Sequence, residues 1–115
     1  FGRSNTVTID LGDRLPAPQG LGTTPVVNGV QLRWNANAAT YGGNSFANYR
    51  VYSTRFDTGR NSCPRDGWVM EGTTISEQFL VGGLPAGAIR CFAVSAVNRG
   101  GLESAWSEVV IDAAR

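Results

Sequence analysis

The run Arg90-Cys91-Phe92-Ala93-Val94-Ser95-Ala96-Val97-Asn98 constrains the fold of this chain more than any other stretch. Phe92, Val94 and Ala96 fall on one parity, and Cys91, Ala93 and Ser95 on the other, which is the period of a β-strand that lays one face on a core. A run this apolar reads as a central strand. Its continuation, Arg99-Gly100-Gly101 and then Glu103-Ser104-Ala105-Trp106-Ser107-Glu108, reads as a turn followed by a polar return.

The other segments follow the same period. Thr24-Pro25-Val26-Val27 meets Val30-Gln31-Leu32-Arg33-Trp34 across Asn28-Gly29, a dipeptide that tolerates the positive φ of a type I′ hairpin turn. Val30, Leu32 and Trp34 then face one way, with Trp34 expected in the core. Phe46 to Ser53 forms a third strand, with Tyr49 and Val51 inward and Arg50 and Tyr52 outward. Trp68-Val69-Met70-Glu71 forms a short fourth, and Ile75 to Leu84 holds a fifth, with Phe79 and Val81 on one parity. Val109 to Ala113 closes the chain as a strand. No internal repeat, heptad pattern or amphipathic helix is visible.

These runs resemble a fibronectin type III domain. Phe92-x-Val94-x-Ala96-Val97-Asn98 is similar to the family's F strand, and the turn and Ser/Glu-rich return that follow are similar to its F–G turn and G strand. The strand ending at Trp34 resembles strand B, whose Trp sits in the middle of the core, and the likeness extends over roughly residues 16–113. It implies an all-β fold: a two-sheet antiparallel Greek-key sandwich of seven strands. The sequence departs from the family at the corner Leu84-Pro85-Ala86-Gly87-Ala88-Ile89-Arg90, where Arg90 stands in place of the corner Tyr.

Residues 1–14 precede the family boundary, and 15–115 form the type III-like domain. Within the extension, Thr6-Val7-Thr8-Ile9-Asp10-Leu11 alternates, with Val7, Ile9 and Leu11 on one side, as an additional strand or arm would. It is read either as an edge strand or linker end, or as a strand that docks on a neighbouring protein.

Composition narrows the function classes. At 115 residues and 42% hydrophobic content one sandwich core can be filled, so one domain is expected. A formal charge of +1 offers no field suited to nucleic acid or an anionic membrane surface. All ten basic residues are Arg, a preference that GC-rich coding would produce and that also favours planar contacts with carboxylates and aromatic rings. No apolar run is long enough to span a bilayer. The start at Phe1 without a Met suggests a processed or trimmed product.

Cys63 and Cys91 are the two cysteines, enough for one disulfide and too few for a four-cysteine zinc site. In the type III topology the segment after strand C shares a sheet with strand F. The resemblance therefore implies that a Cys63–Cys91 bridge can form, with two free thiols as the alternative. A bridge would stabilise by roughly 3–4 kcal/mol in the chain-entropy model. It would also place the protein outside the cytoplasm.

Catalytic chemistry finds little to work with. The chain has no His, which removes the usual general base and the His-dependent triads. Asp57-Thr58-Gly59 lacks a second copy and reads as a turn. Asp57, Asp66 and Glu71 lack the dense spacing of a calcium loop. Arg65-Asp66-Gly67 is not the Arg-Gly-Asp order, and Ser104-Ala105-Trp106-Ser107 matches half of a cytokine-receptor Trp-Ser box by coincidence. What remains is surface: Arg50, Tyr52, Arg65, Trp68 and Trp106, with Val7, Ile9 and Leu11 of the arm, have the composition of protein-contact sites.

The expectation is a non-catalytic binding or structural module, bacterial and secreted, periplasmic or at the cell surface. It would be an accessory or scaffold subunit of a larger extracytoplasmic assembly, such as a membrane complex or filament, whose partners are other proteins or copies of itself. No cofactor is expected. The alternative is a carbohydrate-binding or spacer module of a secreted glycoside hydrolase, with exposed Trp stacking on sugar.

Overall fold

A computed structural model of the chain describes residues 15–38 and 46–115. Seven strands follow in order: β1 (Gly22–Val26), β2 (Gly29–Arg33), β3 (Phe46–Arg55), β4 (Val69–Thr74), β5 (Gln78–Val81), β6 (Ile89–Asn98) and β7 (Val110–Ala113). They form a three-stranded sheet, β1-β2-β5, over a four-stranded sheet, β4-β3-β6-β7, with every pairing antiparallel. This is the two-sheet sandwich that the resemblance implies. The arm residues Val7, Ile9 and Leu11 lie outside the described residues.

Alternation decides what enters the core. Val30 and Leu32 of β2, Tyr49 and Val51 of β3, Val81 of β5, and Phe92, Val94 and Ala96 of β6 are all fully buried between the sheets. Each large aliphatic or aromatic side chain among them stabilises the fold by about 1.5–3 kcal/mol through area removed from water. Trp34 is buried as expected and packs edge-on against Tyr49, with ring centroids 5.2 Å apart. The Tyr49 hydroxyl leaves the core by donating to Glu77 Oε2 at 2.9 Å.

The first hairpin corrects the expected register. Val26 pairs with Gly29, so Val27 and Asn28 occupy the turn, and Asn28 takes positive φ (63°) while Val27 does not. The type I′ reading over Asn28-Gly29 is therefore off by one residue. Gly29 is required for another reason: a Cβ there would sit 2.5 Å from the Val81 carbonyl oxygen. Val27, placed in a strand by its apolar character, is instead exposed at the turn.

Strand bounds shift elsewhere too. β4 begins after Trp68 and runs on to Thr74, with a bulge opposite Val51 and Tyr52. Ile75 is exposed and precedes β5, so the fifth strand is shorter than its apolar run.

A finished outer face on the four-stranded sheet as the candidate interaction site

The sequence reads β6 as a strand with one buried face, yet every residue from Cys91 to Asn98 is buried. Residues from two other segments, the disulfide loop and the return after the F–G turn, cover it. Cys63 covers one end through a disulfide to Cys91, with Cα atoms 6.1 Å apart. The expected bridge is therefore present, and the free-thiol alternative falls.

The middle of β6 is covered by the segment after the F–G turn. β7 pairs with β6 over Ile89 to Phe92 only. Beyond that point the chain departs from strand geometry and two serines take over the ladder. Ser104 N–H donates to the Ala96 carbonyl at 2.7 Å, and Ala96 N–H donates to Ser104 Oγ at 2.9 Å. Ser107 repeats the pattern on Val94, at 2.8 and 2.9 Å. Hydroxyl oxygens thus replace strand carbonyls as acceptors, so the β6 amides stay satisfied without a regular neighbour.

This arrangement sets Trp106, between the two serines, over β3. Its ring stacks on Tyr52 with centroids 4.3 Å apart and planes 17° from parallel. Trp68 meets the same indole edge-on at 5.2 Å and 73°. Both are favourable aromatic geometries, worth about 0.5–1.5 kcal/mol each beyond the area they bury. Trp68 is oriented by its Nε1–H, which donates to the Pro64 carbonyl at 2.9 Å, next to the bridged Cys63. The disulfide loop and the aromatic stack are one construction.

Glu103 organises the polar half. Tyr52 OH and Ser95 Oγ each donate to Glu103 Oε2 at 2.5 Å, and Arg50 Nη1 donates to Oε1 at 3.2 Å. Partial burial pushes this carboxyl up, but the hydrogen bonds from Ser95 and Tyr52 and the Arg50 charge outweigh it and hold the group below the ordinary carboxylate range. Burial first, and the bond to Glu103 second, push the Tyr52 phenol up. Neither Glu103 nor Ser95 is a predicted site residue. The signal that would have found them is the parity of Arg50, Tyr52 and Ser95, which turns three polar side chains onto one face beside an acid-bearing return.

Of the sequence-predicted surface residues, Arg50, Tyr52, Trp68 and Trp106 come together here. Among the described residues no hydrogen bond or ion pair joins Arg65 to them; it lines a hollow in the disulfide loop with Asp57, Arg60 and Asp66. Asp57 caps its own turn, accepting from the Gly59 and Arg60 amides at 3.0 and 3.2 Å, which is the turn reading of Asp57-Thr58-Gly59.

Around the stack runs an apolar strip. Met70 is the cross-strand partner of Tyr52, and Ile111 that of Cys91; Ile89 shares the parity of Cys91, and Val109 that of Ile111. All four are exposed, Met70 to 54%, and Trp106 keeps 38% of its surface open. Five large apolar residues therefore line up on one face of one sheet. Among the described residues no three His, Cys, Asp or Glu side chains converge as a metal site, and no helix is long and apolar enough to cross a membrane.

No protein-family model and no curated protein matches the chain. Solved structures do. A structure of the titin kinase and its flanking domains is 24% identical with a TM-score of 0.70 over 90% of this chain, which spans 18% of that one. An Fn3-like protein from Clostridium thermocellum is 26% identical at a TM-score of 0.62, covering 86% of this chain and 92% of its own. The fibronectin type III domain of human fibronectin type III domain containing protein 3 is 17% identical at a TM-score of 0.70, covering 90% and 88%. The fold is that of fibronectin type III domains, commonly non-catalytic structural or binding modules, which bears out the resemblance read from Phe92 to Asn98.

Proposed function

We propose that this chain is a non-catalytic docking module of an extracytoplasmic protein assembly, acting as an accessory or scaffold subunit. It engages a partner protein through the outer face of the four-stranded sheet, with the arm of residues 1–14 as a second contact. The observation that carries this reading is the exposed row Met70, Trp106, Val109, Ile111 and Ile89 beside the Arg50–Glu103 pair. Several large exposed apolar residues on one sheet face, with a charged margin, have the composition of a protein interface. The Cys63–Cys91 bridge supports a location outside the cytoplasm.

The carbohydrate-binding alternative draws less support. Sugar rings need free aromatic faces, and one face of Tyr52 is already taken by Trp106.

Size-exclusion of native extracts tests the proposal. The domain is expected to elute in a larger complex, and Met70→Glu or Ile111→Glu to release it as a monomer while Leu80→Glu, on the other sheet, leaves it bound. A chain that elutes as a monomer in every case, or that is retained on polysaccharide through Trp106, contradicts it.

A further inference from the structure

One end of the sandwich sets two arginines side by side. At the end where β3 stops and β6 starts, Arg55 and Arg90 are direct cross-strand partners. Like charges placed opposite one another on a sheet repel. Among the described residues neither guanidinium has a carboxylate within salt-bridge distance: the ion pairs are Arg50–Glu103 and Arg60–Asp57. Asp112 is the other cross-strand neighbour of Arg90, but its carboxylate accepts from the Thr23 hydroxyl at 2.6 Å and from the Ala113 amide at 2.8 Å. The two arginines border an open groove whose remaining wall is mostly apolar, with Phe56, Pro85, Ala88 and Ile89.

Two guanidinium groups and an apolar wall fit a carboxylate carried between apolar side chains. A planar guanidinium takes a carboxylate through charge-assisted, often bidentate bonds, and the wall receives the flanking residues in a way a small hydrated anion would not use. The chain itself contains such a segment in Ile9-Asp10-Leu11, with Asp13 close behind. We propose that the Arg55–Arg90 groove takes the Asp10 carboxylate and its flanking Ile9 and Leu11 from a second copy of this chain.

Reach decides between the same copy and another. Asn37 Nδ2 donates to the Ala17 carbonyl and Asn35 N–H to the Gln19 carbonyl, which fixes the start of the domain at the end where β2 finishes and β3 begins. The groove is at the opposite end of β3, a strand of 10 residues and so about 30 Å long. The chain from Leu15 back to Asp10 extends at most about 18 Å. An arm leaving one end therefore meets the groove of a neighbour. Such a contact is heterologous, joining unlike surfaces, and propagates head to tail. The inference builds on the arm contact of the proposed function; the groove shares only Ile89 with the outer-face row, and neither Met70 nor Ile111 lines it, so variants at those two positions tell the contacts apart.

Sedimentation velocity of the full chain tests it. The wild type is expected to form a concentration-dependent series beyond the dimer, weakened as salt screens the charges. Asp10→Arg and Arg55→Glu should each weaken association by about tenfold or more. Each variant keeps one good surface, so an equal mixture of the two should associate where neither does alone. Near-UV circular dichroism checks that each variant is folded, and Arg55→Gln stands in if Arg55→Glu is not. A wild type that stays monomeric, association that survives Asp10→Arg, or a mixture that stays monomeric would each overturn the proposal.

Discussion

The outer faces of the two sheets are built on different plans. On the three-stranded sheet, Thr24, Gln31, Arg33 and Leu80 alternate with the core residues, and among the described residues all but the half-buried Gln31 are exposed; Gln31 donates to the neighbouring Leu32 carbonyl. On the four-stranded sheet the equivalent positions of β6 are buried beneath a disulfide, an aromatic stack and a carboxylate that collects three donors. The first face is what period-two alternation gives by default. The second needs side chains from the disulfide loop and the F–G return to converge, which simple core formation does not demand.

Damage to the finished face should therefore cost far more than damage to the plain one. The largest effect is expected from replacing both Cys63 and Cys91 by Ser, because Cys91 is fully buried and the loop it holds also carries Trp68. Urea unfolding should show a loss of about 3–4 kcal/mol. Trp106→Ala comes next, at about 2 kcal/mol, since it removes both ring contacts and uncovers part of β6. Leu80→Ala on the plain face is expected within about 0.5 kcal/mol of wild type. Equal costs for Trp106→Ala and Leu80→Ala would erase the distinction between the faces.

Smaller effects sharpen it. Ser104→Ala and Ser107→Ala each leave a buried β6 amide without its acceptor, at about 1–2 kcal/mol, read out by faster hydrogen exchange at Ala96 and Val94 respectively. The pH dependence follows from Glu103. Its carboxyl in the folded state lies below the ordinary range, so the unfolded chain binds its proton first as pH falls. The stabilisation it gives is present above the unfolded carboxylate value and is lost as pH drops through the folded one. Glu103→Gln should therefore flatten the acid limb of stability against pH. Tyr52 works the other way at high pH: its raised phenol gives stability that is full below the unfolded tyrosine value and lost as pH rises through the folded one.

The sandwich was legible because burial on it follows alternation, and Val30, Leu32, Tyr49, Val51, Phe92, Val94 and Ala96 obey that rule without exception. The errors fall where another constraint overrides period two. Val27 looks like a strand residue but sits in the turn, because Gly29 is held in the ladder by its close approach to Val81. The finished face was legible only in part. Arg50, Tyr52, Trp68 and Trp106 stand out by residue type, whereas Glu103, Ser95, Ser104 and Ser107 act through hydrogen bonds whose partners are brought together by tertiary structure alone. Arg65 stands apart: its type suggested a contact residue, and it lines the hollow of the disulfide loop beside Cys63 and Pro64.

The most direct test of the docking-face claim compares the two sheets in one assay. A photocrosslinking side chain is placed in turn at Met70, Ile111 and Leu80, and the protein is irradiated in intact cell-envelope preparations. Crosslinks to one protein species from Met70 and Ile111, with none from Leu80, are the expected result. The same yield from all three positions, or crosslinks from Leu80 alone, would contradict it.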